Sequence, residues 1–369
     1  MTEFDPHILR NCIQKVATGP EYSKDLSYED AYAAMCCALS GEADPVQVGV
    51  FLIALRMKRE TPAENAGVLQ AILDNTQREV SGVDELVDIG EPYNGQVRGL
   101  PAAPFLSPLL AACGLPAYSH GVAVLGPKFG ITHRNVLHAA GVDVSRSNKA
   151  VAERLANPDI GWGYSDQAQF CSALHDLVDI RKRIVKRPVL TTVEVMAQPI
   201  RGRLKTHLLT GYVHKAYPPV YAALARQADY HNAIIVHGVE GGVIPSLSQS
   251  ARMFVYRAKG AEHESIVDPG VLGIEQKQRN VPLPDDLPEV AAGDEVRAAI
   301  DVPNAARAAA SCGIAALRGE HGATRDSLIY GTAIALFGAG RCENLRDGAD
   351  TARRALDEGA ALARFEAGL

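Results

Sequence analysis

Residues 41–64 read GEADPVQVGVFLIALRMKRETPAE, and this stretch predicts two consecutive helices. Asp44 before Pro45 combines a helix cap with a proline suited to the first helical position. Apolar side chains then recur at helical spacing, at Val48, Phe51, Leu52 and Leu55. Residues 61–64, Thr-Pro-Ala-Glu, match a capping box that begins the next helix. With another capped start at Ser27, residues 1–80 are expected to be helical.

After Ser81 the pattern changes, because short apolar runs alternate with helical segments and glycine turns. The predicted strands are Leu86–Ile89, Ala117–Ser119, Val189–Met196, His207–Tyr212, Ala233–His237 and Phe254–Arg257. The predicted helices include Pro104–Cys113, Asn135–Ala140, Pro219–Gln227, Ala305–Ala316 and Asp350–Phe365. Residues 274–293 are polar and contain prolines, which indicates a connecting loop. Alternation of this kind predicts an α/β fold with a mostly parallel sheet covered on both faces.

Composition excludes several classes of protein. Of 369 residues, 47% are hydrophobic and 22% charged, which is typical of a globular protein and not of a disordered one. No apolar run approaches the roughly 20 residues of a membrane span. The N-terminus, MTEFDPHILR, lacks the apolar core of a secretory signal, so a cytoplasmic location and no membrane partner are expected. The 7 cysteines form no CxxC pair, which argues against a zinc site or a disulfide framework.

Positive charge is concentrated in one segment of an otherwise acidic chain, whose net charge is -6. This basic segment, residues 181–205, contains one acid, Glu194. Its basic residues, all candidates for anion binding, are Arg181, Lys182, Arg183, Lys186, Arg187, Arg201, Arg203 and Lys205. Such an excess predicts an anion or an acidic protein surface nearby. A solvated basic face, salt bridges across a dimer and a track for an extended polyanion remain open as alternatives.

Residues 41–64 resemble the helical domain of anthranilate phosphoribosyltransferases, with its pattern GE-x-x-x-x-Q-x-x-AFL-x-AL-x-x-KGET-x-E. The resemblance continues at residues 88–90, Asp-Ile-Gly, where that family has a DxxGTGGD loop. Residues 119–121, Ser-His-Gly, stand where it has KHGN, and residues 234–238, Ile-Ile-Val-His-Gly, match a strand that ends in HG. The chain is therefore identified as similar to this family over most of its length.

The resemblance implies a small N-terminal helical domain joined by hinge strands to a large α/β domain with C-terminal helices. In this chain the helical domain would comprise residues 1–80, with a returning helical segment at about 165–187. The α/β domain would then comprise residues 81–164 and 188–369. The resemblance also implies a homodimer that forms through the helical domain.

Members of this family transfer phosphoribosyl from phosphoribosyl pyrophosphate to anthranilate, with Mg²⁺ neutralising the departing oxygens. Their glycine-rich loop presents backbone N–H groups to phosphate. The corresponding residues 90–95 read Gly-Glu-Pro-Tyr-Asn-Gly here. Pro92 has no N–H group, and the Glu91 carboxylate would repel phosphate. A plain turn and a remodelled ligand loop both remain open; in the second case Gly90, Glu91, Tyr93, Asn94 and Gly95 are ligand-binding candidates.

The second loop keeps part of the family pattern. KHGNRAxSS becomes Ser-His-Gly-Val-Ala-Val-Leu-Gly-Pro over residues 119–127, so the asparagine and the phosphate-binding serines are absent. His120 and Gly121 remain, and Lys128 and Gly130 fall on a lysine and a glycine that the family often keeps. All four are ligand candidates, with Lys128 the expected phosphate contact. A packed histidine at a strand end is the alternative for His120.

The acidic pair that holds Mg²⁺ in the family, within HGxDGLDEI, falls on Val243 and Ile244. Hydrocarbon side chains offer no oxygen to this ion. Glu240 is the one acid left near the position, so no metal site is predicted and Mg²⁺ is kept as an open question. The arginine that pairs with the anthranilate carboxylate falls near His175, which cannot form the same bidentate clamp.

Two segments also resemble a divergent branch of the family that is reported to bind nucleic acid. These are residues 92–95, Pro-Tyr-Asn-Gly, and residues 237–241, His-Gly-Val-Glu-Gly. One hypothesis is a phosphoribosyl or other glycosyl transferase acting on an unknown acceptor, with a phosphorylated small molecule as ligand. The alternative is a non-catalytic protein that binds nucleic acid through residues 181–205. Nucleoside phosphorolysis is a third hypothesis without a glycine-rich loop to support it, and standard transfer to anthranilate is not expected.

Overall fold

The fold was analysed in a computed structural model that describes residues 5–19, 21–291 and 297–369. The first helices are α1 (Pro6–Val16), α2 (Tyr28–Leu39), α3 (Pro45–Lys58) and α4 (Pro62–Asn75). The predicted caps are present. The Ser27 hydroxyl accepts from the Asp30 N–H, and Thr61 and Glu64 form the reciprocal capping box. Caps of this kind contribute about 1 kcal/mol each to helix stability.

A seven-stranded sheet forms the centre of the second part of the chain, in the order β4-β3-β2-β6-β7-β8-β9. Its strands are β2 (Glu85–Gly90), β3 (Ala117–Gly121), β4 (Trp162–Asp166), β6 (Lys205–Tyr212), β7 (Asn232–His237), β8 (Ala251–Tyr256) and β9 (His263–Val267). The five strands from β4 to β7 are parallel, and β8 and β9 are antiparallel. β1 (Glu79–Val80) and β5 (Ile200–Arg201) form a separate parallel pair. β1 follows the last N-terminal helix, α4, and β5 comes directly before β6. The predicted mostly parallel sheet is confirmed.

Helices cover the sheet and return to the N-terminal bundle. They are α5 (Leu106–Ala112), α6 (His133–Ala139), α7 (Asn148–Ala156), α8 (Gln167–Phe170), α9 (Ser172–His175), α10 (Val178–Ile184), α11 (Leu190–Val193), α12 (Tyr217–Gln227), α13 (Val302–Leu317), α14 (Ala323–Ala339), α15 (Leu345–Asp357) and α16 (Ala360–Ala367). Phe170, Leu174 and Val178 share one apolar core with α1–α4. This packing supports the returning segment at 165–187, and the exact domain limits stay a prediction.

One predicted strand is wrong. Residues 189–196 form α11 and a 3₁₀ turn, Glu194–Met196. Val189, Leu190 and Val193 are all fully buried, and a continuous apolar run does not distinguish a buried strand from a buried helix.

Four strands escaped prediction: the two-residue strands β1 and β5, and the sheet strands β4 and β9. In β4, WGYSD, polar residues interrupt the apolar run, and most of β9, HESIV, is exposed at a sheet edge. Residues 274–291 contain no helix, as expected for the predicted connecting loop. Residues 292 and 293 of that loop lie outside the described residues. Within the described ranges, no helix has the length and apolar character to cross a membrane.

Candidate functional site

The candidate site lies at the carboxyl edge of the parallel strands, where ligands bind in open α/β sheets. The loops after β2, β6 and β7 meet there, and the hinge, residues 185–198, passes over them. Together with Arg56 of α3 these segments line one cleft between the helical bundle and the sheet. The cleft is where the two parts of the fold meet, so the residues that line it are the first candidates for ligand contacts.

The loops after β2 and β3 are joined by backbone hydrogen bonds. Gln96 and Ile131 exchange N–H···O bonds of 3.0 and 2.8 Å, and the Gly130 N–H donates to the Asn94 carbonyl at 2.9 Å. Gly95 has a φ of 70°, and a Cβ at this position would lie 2.5 Å from the Gly130 carbonyl carbon. The predicted ligand candidates Gly95 and Gly130 thus permit close packing of two loops, which is a different use of glycine from an anion cradle.

Three donors from the neighbouring loops converge on the Glu240 carboxylate. This carboxylate accepts hydrogen bonds from the Val97 N–H at 3.1 Å, the Arg98 N–H at 2.7 Å and the Lys128 ammonium at 2.9 Å. We call these three donors the anion seat. Lys128 also donates to the Gly95 carbonyl at 3.0 Å. Two convergent backbone amides and a lysine suit phosphate, but here they bind the carboxylate of the protein itself.

Glu91, directly after β2, points into the protein. One of its oxygens accepts from the Gln96 amide and the other from the Val243 N–H, both at 2.9 Å. Burial raises the pKa of Glu91, and these hydrogen bonds partly oppose that shift. His133 lies 4.0 Å away, and burial lowers its pKa to about 3, so the imidazole is neutral at pH 7. Burial also lowers the pKa of Lys128, against the attraction of Glu240.

The residues present do not fit the Mg²⁺ site that the resemblance implies. Val243 is fully buried, and its contribution is a backbone N–H donated to Glu91. Ile244 packs near Gly331 of α14. The oxygens of Glu91 and Glu240 are already engaged within the protein. Within residues 5–19, 21–291 and 297–369, no group of three or more His, Cys, Asp and Glu residues is placed to hold a metal ion.

His120 lies inside the core, behind the cleft. Its Nδ1 is hydrogen-bonded to the Tyr93 hydroxyl, and its Nε2 lies 2.8 Å from Asp88 Oδ1. The other Asp88 oxygen accepts from the hydroxyls of Tyr118 and Tyr230, both at 2.7 Å. All five side chains are buried. Burial of this extent favours a structural network over ligand contact for the candidates His120 and Tyr93.

The other glycines and His175 also have structural surroundings. A Cβ at Gly90 would lie 2.7 Å from the Val195 carbonyl of the hinge, and one at Gly121 would lie 3.5 Å from the Tyr93 ring. His175 is half-buried on α9 and does not line the cleft. These three positions therefore support the packing around the site, and their roles as ligand contacts stay predictions.

The basic segment divides into two regions at opposite ends of the sheet. Arg201, Arg203 and Lys205 lie where β6 begins, and Arg203 pairs with Asp84 at 2.7 Å. The hinge side lies beyond the other end of this strand, whose eight residues span roughly 25 Å at ~3.3 Å per residue. The basic residues of the segment 181–205 therefore do not form one continuous track for a polyanion.

The basic side chains on the hinge side differ in how accessible they are to an external anion. Arg181 is buried and forms a bidentate ion pair with Glu194, with N···O distances of 2.6 and 2.7 Å. Lys182 makes a partly exposed pair with Asp179, whereas Arg183 and Lys186 are exposed. Of the eight basic candidates, Arg187 lines the cleft. Arg181 is thus committed to holding the hinge, which argues against its predicted role in binding an external anion.

Several residues of the cleft had not been singled out from the sequence. They include Arg56 on α3, Thr191 in the hinge, and Tyr217 and Tyr221 on α12. The Tyr217 and Tyr221 rings meet edge to face, with centroids 5.5 Å apart. Nothing in the local sequence marks these residues, because the cleft brings together three segments that are distant along the chain.

Two family models match the chain. Residues 10–76 match the helical bundle domain of the glycosyl transferase family, and residues 103–362 match its a/b domain. An anthranilate phosphoribosyltransferase from Sphingopyxis alaskensis is 29% identical over 349 residues, which are 93% of this chain and 95% of that protein. One from Thermomicrobium roseum is 26% identical and covers 97% of this chain and 95% of its own length.

Among solved structures, anthranilate phosphoribosyltransferase from Saccharomyces cerevisiae in complex with 4-fluoroanthranilate superposes with a TM-score of 0.75. It covers 100% of this chain and 98% of its own, at 18% sequence identity. Likeness at this level concerns the fold. It agrees with the order of elements described above, a helical bundle followed by a mostly parallel sheet.

Proposed function

Because the chain belongs to the glycosyl transferase family that combines a helical bundle with an a/b domain, we propose that it uses the cleft between them to bind nucleic acid. In this proposal the protein does not carry out Mg²⁺-dependent phosphoribosyl transfer to anthranilate. It acts as a homodimer in the cytoplasm, where both nucleic acid and phosphorylated metabolites are available as ligands.

The observation that carries this proposal is the anion seat filled by Glu240. Pyrophosphate would have to displace a carboxylate held by Lys128 and two backbone N–H groups. It would then lie beside Glu91, without acidic side chains at positions 243 and 244 to bring in a metal ion. Charge repulsion and the missing metal ligands both oppose binding of phosphoribosyl pyrophosphate.

The region around the hinge nevertheless remains suited to a phosphate backbone. Lys182, Arg183 and Lys186 are exposed or partly exposed where the hinge begins, and Arg187 continues them into the cleft. Phosphate contacts from clustered Lys and Arg release counterions and give affinity without sequence preference. Tyr217 and Tyr221 in the same cleft offer aromatic surface to an unpaired base, which favours single strands.

Fluorescence anisotropy with a labelled oligothymidylate at several salt concentrations tests this proposal. The triple variant with Lys182, Arg183 and Lys186 changed to alanine should bind more weakly, and its log K against log salt slope should be smaller by about one for every phosphate that it no longer neutralises. The matched control changes Arg203 and Lys205, which are exposed at the other end of the sheet. Absence of binding near 50 mM salt, or equal losses of affinity in both variants, would contradict the proposal.

A second candidate function, transfer from phosphoribosyl pyrophosphate to an unknown acceptor, is favoured by one observation. The anion seat is complete in its donors, so movement of Glu240 would expose a phosphate-binding position. Thermal shift with millimolar phosphoribosyl pyrophosphate and Mg²⁺ tests it, because a ligand bound well below millimolar raises the midpoint by mass action. An unchanged midpoint in the native protein counts against this function.

We propose that the homodimer forms through α3, which would contact a second copy of the chain. Val46 is 71% exposed and Met57 75% exposed, and with Val50 they follow a spacing of four and seven residues along one face of the helix. Exposed apolar side chains on one helical face are typical of protein interfaces. Light scattering should give twice the chain mass for the native protein and the monomer mass when Val46 and Met57 become lysine. A native monomer would contradict this proposal.

A further inference from the structure

The cleft contains buried polar groups that the described part of the chain leaves without partners. They are Asn94 Nδ2, Thr191 Oγ1 and Arg187 Nε, and all three residues line the same cleft. We infer that these donors form a subsite for the phosphoryl group of one nucleotide unit, either within a single strand or as a free mononucleotide. The inference rests on the proposed function for the identity of the ligand. It adds Asn94 and Thr191, which the basic candidates do not include, and gives Arg187 a specific role beside them.

Asn94 provides the first argument. It is 2% exposed, and its side-chain NH₂ group has no acceptor among the described residues, although its backbone carbonyl accepts from Gly130. A buried donor without a partner costs about 1–3 kcal/mol. The neighbouring residue of the same type, Gln96, is by contrast satisfied by Glu91. An acceptor supplied by a ligand would recover the cost at Asn94.

Arg187 and Thr191 provide the second argument, from the other wall of the cleft. The guanidinium of Arg187 makes no ion pair within the described residues, whereas Arg56 in the same cleft pairs with Glu60 at 3.3 Å. The Thr191 hydroxyl, in α11 four residues further along the hinge, is also buried and has no partner among the residues that the structure describes. The nearby positive charge of Lys128 is already taken by Glu240. Among the described residues, Arg187 is thus a cationic side chain of the cleft that has no ion-pair partner.

The three groups of the subsite are all hydrogen-bond donors, and this indicates which kind of ligand they would bind. An amide NH₂, a hydroxyl and a guanidinium all donate, and a phosphoryl group accepts at several oxygens and carries negative charge. Tyr217 and Tyr221 lie in the same cleft, and the Arg56 guanidinium lies 5.8 Å from the Tyr217 ring centre. An anion subsite beside aromatic side chains fits a phosphate joined to a flat base.

Isothermal titration of the full chain with thymidine monophosphate, and anisotropy with oligothymidylate, test the subsite. Arg187→Gln should weaken binding of the mononucleotide by about tenfold to a hundredfold, as expected for a charged hydrogen bond. Thr191→Val keeps the side-chain shape and should weaken binding about two- to tenfold. Arg203→Gln is the matched control and should have no effect. In the absence of ligand, neither cleft variant should lower the thermal midpoint, because neither removes a side-chain hydrogen bond to another described residue.

The possible outcomes separate the subsite from the proposed function. If the strand binds and depends on Lys182, Arg183 and Lys186 but not on Arg187 and Thr191, the subsite is wrong and the proposed function stands. If the mononucleotide alone binds and depends on Arg187, the subsite stands and the proposed function fails. Failure of both probes to bind, or a midpoint lowered by Thr191→Val without ligand, overturns the subsite, since the hydroxyl would then have a structural partner.

Discussion

The loop after β2 has two halves that can be compared directly. The half that faces the loop after β7 contains Glu91 and Gln96, whose side chains are hydrogen-bonded within the protein. The half that faces the hinge contains Asn94, whose amide NH₂ has no partner among the described residues. Glu91 and Asn94 are both buried, and Gln96 is half-buried. The difference therefore lies in bonding, and it indicates that one half has been closed internally while the other stays available to a ligand.

The largest effect is expected where the hinge is held over this loop. Arg181→Ala would leave Glu194 buried without its partner, which costs about 3–5 kcal/mol of unfolding free energy. Chemical denaturation measures this loss. Arg183→Ala, two residues away and exposed, is the matched control and should stay within about 0.5 kcal/mol. Equal stabilities for the two variants would show that the ion pair does not hold the hinge.

The next largest effect is expected at Glu240, whose carboxylate fills the anion seat. Glu240→Ala would leave the N–H groups of Val97 and Arg98 without their acceptor and Lys128 without its ion-pair partner, at a cost of about 1–3 kcal/mol. Inorganic phosphate should then stabilise the variant more than the native protein, because the seat has become open. Thermal shift across a phosphate series measures this gain. An identical response in both proteins would mean that the seat does not accept external anions.

A pH-dependent effect follows from His133, next to Glu91. Its folded pKa of about 3 lies below the ordinary value of 6.5, so the native state binds fewer protons than the unfolded state between these values. Stability is therefore lost as pH falls through this window, by about 1 kcal/mol per pH unit. His133→Leu removes the titration, and its advantage over the native protein should grow from pH 7 to pH 5. A constant difference in unfolding free energy would contradict this assignment.

The smallest expected effect is a difference of about 1 kcal/mol between alanine variants of Gln96 and Asn94, one amide residue from each half. Gln96→Ala removes a hydrogen bond to Glu91 and should destabilise the protein by about 1–3 kcal/mol, because a buried acceptor is left unsatisfied. Asn94→Ala removes an amide NH₂ that has no partner within residues 5–19, 21–291 and 297–369, and it should cost less, about 1 kcal/mol or under. Denaturation curves at pH 7 compare them. A larger loss for Asn94 would reverse the comparison.

The features that could be predicted from the sequence are those fixed by interactions between residues close together in the chain. The start of α4 was predictable because Thr61 and Glu64 cap the helix within four residues. The seat could not be foreseen, because Glu240 binds backbone N–H groups of Val97 and Arg98, which carry no sequence signal and lie more than a hundred residues away. Arg181 likewise looks like its basic neighbours in sequence, and its ion pair appears only after residues 189–196 fold as a helix and a turn.

The contact between Glu240 and the seat also bears on how such a protein can change over evolutionary time. The carboxylate, its two amides and its lysine belong to three separate loops. Replacing either side chain, Glu240 or Lys128, leaves the other charge without its ion-pair partner. Gaining a magnesium ligand at Glu240 would thus need compensating changes at Lys128 and in the loop of Val97 and Arg98.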